Sequence, residues 1–181
     1  MNGTHNADLN DPSSLTLKLN FEACPSVSGI KVEFRSSVSP FNLIESDSSS
    51  GGGNDSSLFI FENGVNGVPY YIVIKGVNSI ETWSATPITF SSNTASYDFT
   101  TAISKAFGNN QKLSGGIPSF FQGDANQDGF VNTSDVLITY NNSSAFLTSP
   151  STDFNCDGTT DLTDVSLAYN NATNFVQKKR P

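Results

Sequence analysis

The chain has 181 residues and a formal net charge of −8, with 14% charged and 11% aromatic residues. That length suits one or two small domains, and the acidic balance excludes the basic patch that nucleic-acid binding requires. No run approaches the eighteen or so apolar residues of a membrane span, and Met1 to His5 has no charged or apolar leader character, so no signal peptide is expected in this numbering.

Residues 1–13 are polar and turn-rich and read as a loose arm; His5, the single histidine, falls there and is no catalytic candidate. Alternation then begins. Leu15, Leu17, Leu19 and Phe21 point one way with Thr16, Lys18, Asn20 and Glu22 between them, the period-2 pattern of a half-buried strand. Ile30, Val32 and Phe34 against Lys31, Glu33 and Arg35 give a second strand, and Phe41 to Glu45 a short third. Ser46 to Ser57 is Ser/Gly-rich and reads as a flexible loop. Leu58 to Phe61 is a fourth strand, ended by the Asn63-Gly64 and Asn66-Gly67 turns. Pro69 to Lys75, holding Tyr70-Tyr71-Ile72-Val73-Ile74, is apolar enough for a central strand covered on both faces. Glu81 to Ala85 around Trp83, Pro87 to Phe90 and Ser96 to Phe99 complete a set of seven or eight short strands. This predicts an antiparallel β-sandwich over 14–107. One helical turn is expected near Ala106-Phe107. Residues 108–122, with Gly115-Gly116-Ile117-Pro118, read as a linker whose Phe120-Phe121 pair packs on one of its two neighbours, since adjacent exposed phenylalanines are costly.

At Asp124 the pattern changes. Oxygen-bearing side chains stand at Asp124, Asn126, Asp128, Asn132 and Asp135, with Gly129 in sixth place of twelve. Asp153, Asn155, Asp157, Asp161 and Asp164, with Gly158 sixth, repeat the arrangement 29 residues later. A hard cation wants this spacing: Ca²⁺ takes six to eight oxygen ligands, with a sharp glycine turn at position 6 and a backbone carbonyl at position 7. The predicted ligands are therefore those ten side chains plus the carbonyls of Phe130 and Thr159, for two Ca²⁺ ions; further ions in the sandwich loops are left open.

The match runs past the loops, pairing Val136 with Val165, Tyr140 with Tyr169, Asn141-Asn142 with Asn170-Asn171 and Phe146 with Phe175, as expected of one supersecondary unit made twice. Between Leu113 and Gln177 there is no Lys, Arg or Glu, and every Asp there occupies a ligand position. Two bound ions would bring the net charge from −8 to −4. The second loop offers four carboxylates against three and is expected to bind the tighter. Without metal these carboxylates repel, so binding energy becomes folding energy. Short amphipathic helices are expected after each loop, through Val136, Leu137 and Tyr140 and through Val165, Leu167, Ala168 and Tyr169.

These paired loop-plus-helix units, each closing on Asp at position 12, resemble a dockerin module, a variant of the EF-hand pair. The resemblance spans roughly Gly123 to Phe175. It implies two helices packed antiparallel and a Ca²⁺ requirement for folding in a module at 123–176. It also implies that loop positions 10 and 11, here Thr133-Ser134 and Leu162-Thr163, help to contact a cohesin partner. Thr133 and Ser134 suit a hydroxyl-mediated contact; Leu162 departs from that pattern. The strand order, with the stretch from Gly67 through Tyr70-Tyr71, resembles the immunoglobulin-like or transthyretin-like sandwiches that accompany dockerins, so the expected fold is mainly β with a small α module. The same resemblance implies an extracellular or cell-surface location. The basic tail at 177–181, with Lys178-Lys179-Arg180, reads as solvated. Cys24 and Cys156 permit either one disulfide joining the two halves in an oxidising compartment or two free thiols.

No catalytic pattern is visible: no nucleophile elbow, no phosphate-cradling glycine loop and no HExxH signature. Glu22, Glu33, Glu45, Asp47, Asp55, Glu62, Glu81 and Asp98 read as solvated surface acids. Three binding or architectural functions remain. First is self-assembly, in which module and sandwich engage between copies to give a filament, tube or surface layer, because a dockerin usually carries an enzyme and here there is none to carry. Second is an adaptor docking through Thr133, Ser134, Leu162 and Thr163 to a separate cohesin-like receptor. Third is a carbohydrate-binding module with Trp83, Tyr70, Tyr71 or Tyr97 as the stacking platform.

Overall fold

The computed structural model describes residues 11–27, 29–49, 52–53, 56–149 and 151–181. His5 and nearly all of the expected N-terminal arm lie outside the described residues.

Twelve strands and two α-helices are described: β1 (Ser13–Lys18), β2 (Ser26–Val27), β3 (Ile30–Ser36), β4 (Leu43–Ser49), β5 (Gly52–Gly53), β6 (Ser56–Phe61), β7 (Pro69–Lys75), β8 (Thr82–Trp83), β9 (Ile88–Thr89), β10 (Thr94–Asp98), β11 (Lys112–Ser114), β12 (Ile117–Ser119), α1 (Thr133–Ser144) and α2 (Leu162–Thr173). The architecture is mainly β with two helices, as the alternation and the two helical stretches predicted.

One sheet runs β10-β1-β6; the other runs β4-β3-β7-β8, with β9 also on β7. The alternating faces close a single core between them. Leu15, Leu17, Leu19 and Phe21 meet Ile30, Val32, Phe34, Ile72 and Ile74, with Phe59, Phe61, Phe90, Phe99 and Phe120 filling the space. Phe34 stacks on Phe61 with ring centroids 3.7 Å apart. Each such side chain, fully removed from water, contributes about 2–3 kcal/mol. The sandwich is not wholly antiparallel: β1 pairs β10 in parallel, Leu15 beside Ala95 and Leu17 beside Tyr97.

β7 is central, as its composition required. Tyr70, Ile72 and Ile74 face the core, while Val73, on the opposite face, is also fully buried. What covers that outer face is polar and aromatic. Arg35 lies over the Trp83 ring at 5.5 Å, Phe41 and Tyr71 meet the same ring edge-on, and Trp83 Nε1 donates to Glu81 at 2.7 Å. Glu33 sits in this layer, 2% exposed and paired with Arg35, Lys75 and Lys31. It is not the solvated surface acid that its outward strand position suggested.

Two stretches depart further from expectation. Ser46 to Ser57 is not a loop throughout: β4 continues to Ser49 and β6 starts at Ser56. β4 is joined to β6 through its acids, with Asp47 accepting from the Ile60 amide and Glu45 from those of Glu62 and Asn63. Residues 108–122 are more than a linker. β11 and β12 form a hairpin whose turn, Gly115-Gly116, has both φ values positive (57° and 84°), which glycine alone adopts freely. The two phenylalanines that follow separate, because successive residues of an extended chain point to opposite sides. Phe120 enters the sandwich core beside Phe21 and Phe99, and Phe121 packs with Ile80, Val131, Ala172 and Val176 at the helical unit.

The helical unit is therefore seated on the sandwich. Cys24 and Cys156 are disulfide-bonded, with Cα atoms 5.2 Å apart. Asn171, fully buried on α2, donates through Nδ2 to Glu22 (2.6 Å) and to the Gln122 carbonyl (2.7 Å); Glu22 also pairs with Lys112. The C-terminal residues are tied as well. Lys178 N–H donates to the Gly129 carbonyl, and Lys179 forms a parallel bridge with Thr82 and reaches the Gly108 carbonyl through Nζ. The backbone of the basic tail is thus held, while Lys179 and Arg180 remain exposed.

Candidate metal centres and docking face

Both twelve-residue loops fold the same way, and the reason is local. Asn132, at position 9 of the first loop, caps α1: its side chain accepts from Ser134 N–H, while Asp135 at position 12 accepts from the Asn132 N–H. Asp161 and Asp164 form the same box at α2. Each reciprocal pair satisfies two of the helix's orphan amides. Positions 3 and 5 make tight side-chain turns, Asn126 accepting from Asp128 N–H and Asp128 from Phe130 N–H; Asn155 and Asp157 repeat them. The glycine at position 6 has φ of 90° in one loop and 94° in the other and donates to the first carboxylate, Gly129 to Asp124 at 3.1 Å and Gly158 to Asp153 at 2.9 Å.

The electrostatics follow from this winding. Asp124 is 2% exposed and Asp135 and Asp164 are fully buried. Burial first, and the neighbouring charge of Asp135 next, push Asp124 up to about 7. Burial likewise raises Asp164, against the pull of amides from Asp161, Phe154 and Asn155. Asp157, fully exposed, is held low by hydrogen bonds from Thr159 and Asn155. Among the described residues no three His, Cys, Asp or Glu side chains converge into a cluster. The loops' oxygens are instead strung along the turn and interleaved with amide N–H groups. The donor set nonetheless fits a hard divalent cation. It is all oxygen, and Asp124 Oδ1 is buried without a hydrogen-bond partner, an acceptor that a cation would satisfy. Beside it, a cleft of about 160 Å³ is lined by Lys75, Glu81, Gln127 and Lys178. The first loop therefore has cationic neighbours.

Thr133, Ser134, Leu162 and Thr163 all lie exposed in the first helical turns, Leu162 at 68%. Larger apolar groups surround them, and these were not singled out from the sequence as contact residues. Leu137, Tyr140 and Tyr169 are more than half exposed, and Phe146 and Phe175 are 90% and 85% exposed. A groove of about 600 Å³ opens between the start of α1 and the end of α2, walled by Phe130, Val131, Val136, Tyr169, Phe175 and Val176. Phe146 and Phe175 end their helices in the left-handed region (φ 52° and 54°), and the amide after each bonds back to Asn142 and Asn171 respectively. That is a Schellman ending, in which the left-handed place normally goes to glycine. The signal was present in the sequence: the same aromatic recurs at the same repeat position.

Two of the four aromatics suggested as a carbohydrate platform are covered. Trp83 and Tyr70 are 1% and 5% exposed, Trp83 beneath Arg35 and Phe41 and Tyr70 in the core. Tyr97 donates its hydroxyl to the Lys105 carbonyl. Their spacing on strands reflected packing.

No protein-family model and no curated protein matches this chain. Solved structures do. Two chains, from a C-terminal and an N-terminal interface mutant of a type II cohesin–X–dockerin complex of Acetivibrio cellulolyticus, match with TM-scores of 0.54 and 0.53. Each match has 16% identity and covers 90% of this chain and 99% of the other. Coverage of that extent cannot be reached by the strands alone, so it runs into the two-helix unit. The likeness is one of fold. Among the described residues no helix is long and apolar enough to cross a membrane.

Proposed function

We propose that this is a non-catalytic, extracellular docking protein in which residues 123–176 form a dockerin-like module. In this reading Ca²⁺ in both loops fixes the helices, and the outer face of α1 and α2 engages a protein partner. The observation that carries it is the pair Phe146 and Phe175. Each is an almost fully exposed aromatic ring on a backbone conformation that disfavours it, at the same place in both repeats. Left-handed non-glycine residues cost about 1 kcal/mol or more; they persist where the surrounding structure holds them and cluster at functional sites. An exposed apolar face flanked by Tyr140, Tyr169, Leu137 and Leu162 has the composition of an interface.

Calcium acts here as structure. Asp128 and Asp135 with Asp124, and Asp157, Asp161 and Asp164 with Asp153, supply the charge, assisted by Asn126, Asn155 and Asn132 and by the Phe130 and Thr159 carbonyls. The second loop has the extra carboxylate, and the first has Lys178 donating to the Asp128 carbonyl, so the second binds more tightly. The partner is a β-sandwich surface, on another copy of this chain or on a cohesin-like receptor. The fold shared with chains of cohesin–X–dockerin complexes supports docking in either form. Sedimentation of the full chain with Ca²⁺ and with chelator tests it, alongside retention on immobilised cohesin. Ca²⁺-dependent polymers identify self-assembly, and Ca²⁺-dependent retention identifies a receptor. A monodisperse monomer that no cohesin retains would defeat the docking reading.

A further inference from the structure

The second loop is held by the sandwich at two points, and one of them is covalent. Asp153, at position 1, has its carbonyl bound by Asn78 Nδ2 at 2.9 Å. Cys156, at position 4, is bonded to Cys24, a fully buried residue of the sandwich core. Cys156 has φ of 59°, and this left-handed step starts the turn that brings the next two amides onto the first carboxylate. Asp157 N–H then donates to Asp153 Oδ1 at 3.2 Å and Gly158 N–H to Oδ2 at 2.9 Å. In the first loop, position 4 is Gln127, with a matching φ of 58°. It is held only by hydrogen bonds, its Nε2 donating to the carbonyls of Asp124 (2.6 Å) and Ser79 (3.3 Å).

We propose that Cys24 and Asn78 are positioning residues of the second cation site, and that the Cys24–Cys156 bond makes cation affinity in that loop dependent on thiol redox state. The inference rests on the calcium reading. The bond fixes the left-handed step before any ion arrives, so ion binding need not order that turn. Cys156 is exposed while Cys24 is not, so a dithiol reductant attacks the Cys156 sulfur. One thiolate of the reductant displaces Cys24 to give a mixed disulfide with Cys156, and its second thiolate then releases Cys156. Two electrons and two protons pass to the protein as two thiols, and the reductant leaves as its own disulfide. Reduced, the loop keeps Asn78 and its own hydrogen bonds but loses its covalent anchor. The consequence is a site completed only where disulfides form, so the module is fully locked only in an oxidising compartment.

The test is a Ca²⁺ titration of the full chain followed by amide hydrogen exchange, which resolves the two loops, for oxidised and dithiol-reduced protein. Reduction is expected to weaken Ca²⁺ at 153–164 roughly tenfold, in the range seen when outer-shell partners of metal ligands are lost. In chelator it should also speed exchange at Asp157 and Gly158, with 124–135 unchanged. Asn78→Ala, which leaves the disulfide intact, should shift the same loop in the same direction and covers the case in which the reduced chain unfolds. Equal Ca²⁺ affinity in the second loop before and after reduction would overturn the redox coupling. An unaltered second loop in Asn78→Ala would overturn the positioning role. Failure of the oxidised chain to bind Ca²⁺ in either loop would instead defeat the calcium reading, and this inference with it.

Discussion

Replacing Phe146 or Phe175 by serine separates docking from folding. The rings are 90% and 85% exposed, so truncation removes little buried area from the free chain. Stability should stay within about 0.5 kcal/mol, as for surface positions generally. In a complex the same rings have almost all their surface to give. A phenylalanine presents on the order of 200 Å². Covering half of it, about 100 Å² at about 25 cal/mol per Å², is worth about 2.5 kcal/mol, or roughly sixtyfold in affinity. The assay is sedimentation or partner retention in Ca²⁺, with a thermal melt of each variant beside it. Association should fall by tens-fold for each single variant while the melting temperature holds. Unchanged association in both would refute docking through this face. A large fall in melting temperature would refute the claim that the rings serve binding and not the fold.

Chelation should lower the helical circular-dichroism signal and the melting temperature, because Asp124 beside Asp135, and Asp164 beside Asp153, then lack a counter-charge; identical spectra and melts in EDTA would contradict this. Asn171→Ala removes two short hydrogen bonds that seat α2, one to the Glu22 carboxylate, and should cost roughly 2–3 kcal/mol in urea unfolding; a loss under about 0.5 kcal/mol would mean the seat depends on other contacts. Glu33 should mark the acid limb of stability. Burial pushes it up, but hydrogen bonds and charge from Lys75 and Arg35 outweigh that and hold it below the usual glutamate value. A depressed folded value means its stabilisation is present above the unfolded value and is lost as pH falls through the folded one. In chelator, wild type and Glu33→Gln should therefore differ most near neutrality and converge at low pH; a gap that widens on acidification would reverse the sign.

Legibility in the sequence followed the range of the interaction that decides each element. Leu15, Leu17 and Leu19, and Ile30, Val32 and Phe34, declare their strands because one face meets one core. The sharp turns at Gly129 and Gly158 were equally legible, since such a turn is settled within a few residues; the Asx turn at Asn126 and the capping box at Asn132 were not read from the sequence. β4 beyond Glu45 was not legible, because Ser46 to Ser49 carry no apolar alternation and pair with β3 through the backbone. β11 and β12 have three residues each, too few to show a period. Glu33 misled because an outward strand position looks the same whether it meets water or a Lys75 brought from β7 to join its strand neighbours Lys31 and Arg35. The parallel partner of β1 is Thr94–Asp98, far along the chain, and nothing near either strand encodes that pairing.

The two repeats also show where selection on each face differs. The outward aromatics are the same in both copies, Tyr140 and Tyr169, Phe146 and Phe175, although exposed Thr133 and Leu137 give way to Leu162 and Ser166. Residues that meet the sandwich are not the same. Gln127 corresponds to Cys156, which carries the covalent bond, and Thr139 corresponds to Ala168, whose backbone lies 3.4 Å from where a side chain on Gly123 would begin. Val131, packed with Ile80 and Val176, corresponds to Thr160, bonded to Thr152. Asn142 and Asn171 keep one identity and split their work, the first donating to Thr152 inside the unit and the second to Glu22 and Gln122 across the junction. A duplicated unit resting on a non-duplicated sandwich must break its symmetry where it is seated. It has no such need on the free side. Two aromatics kept alike there, on a backbone that glycine would suit better, are what a repeated contact with a partner would preserve.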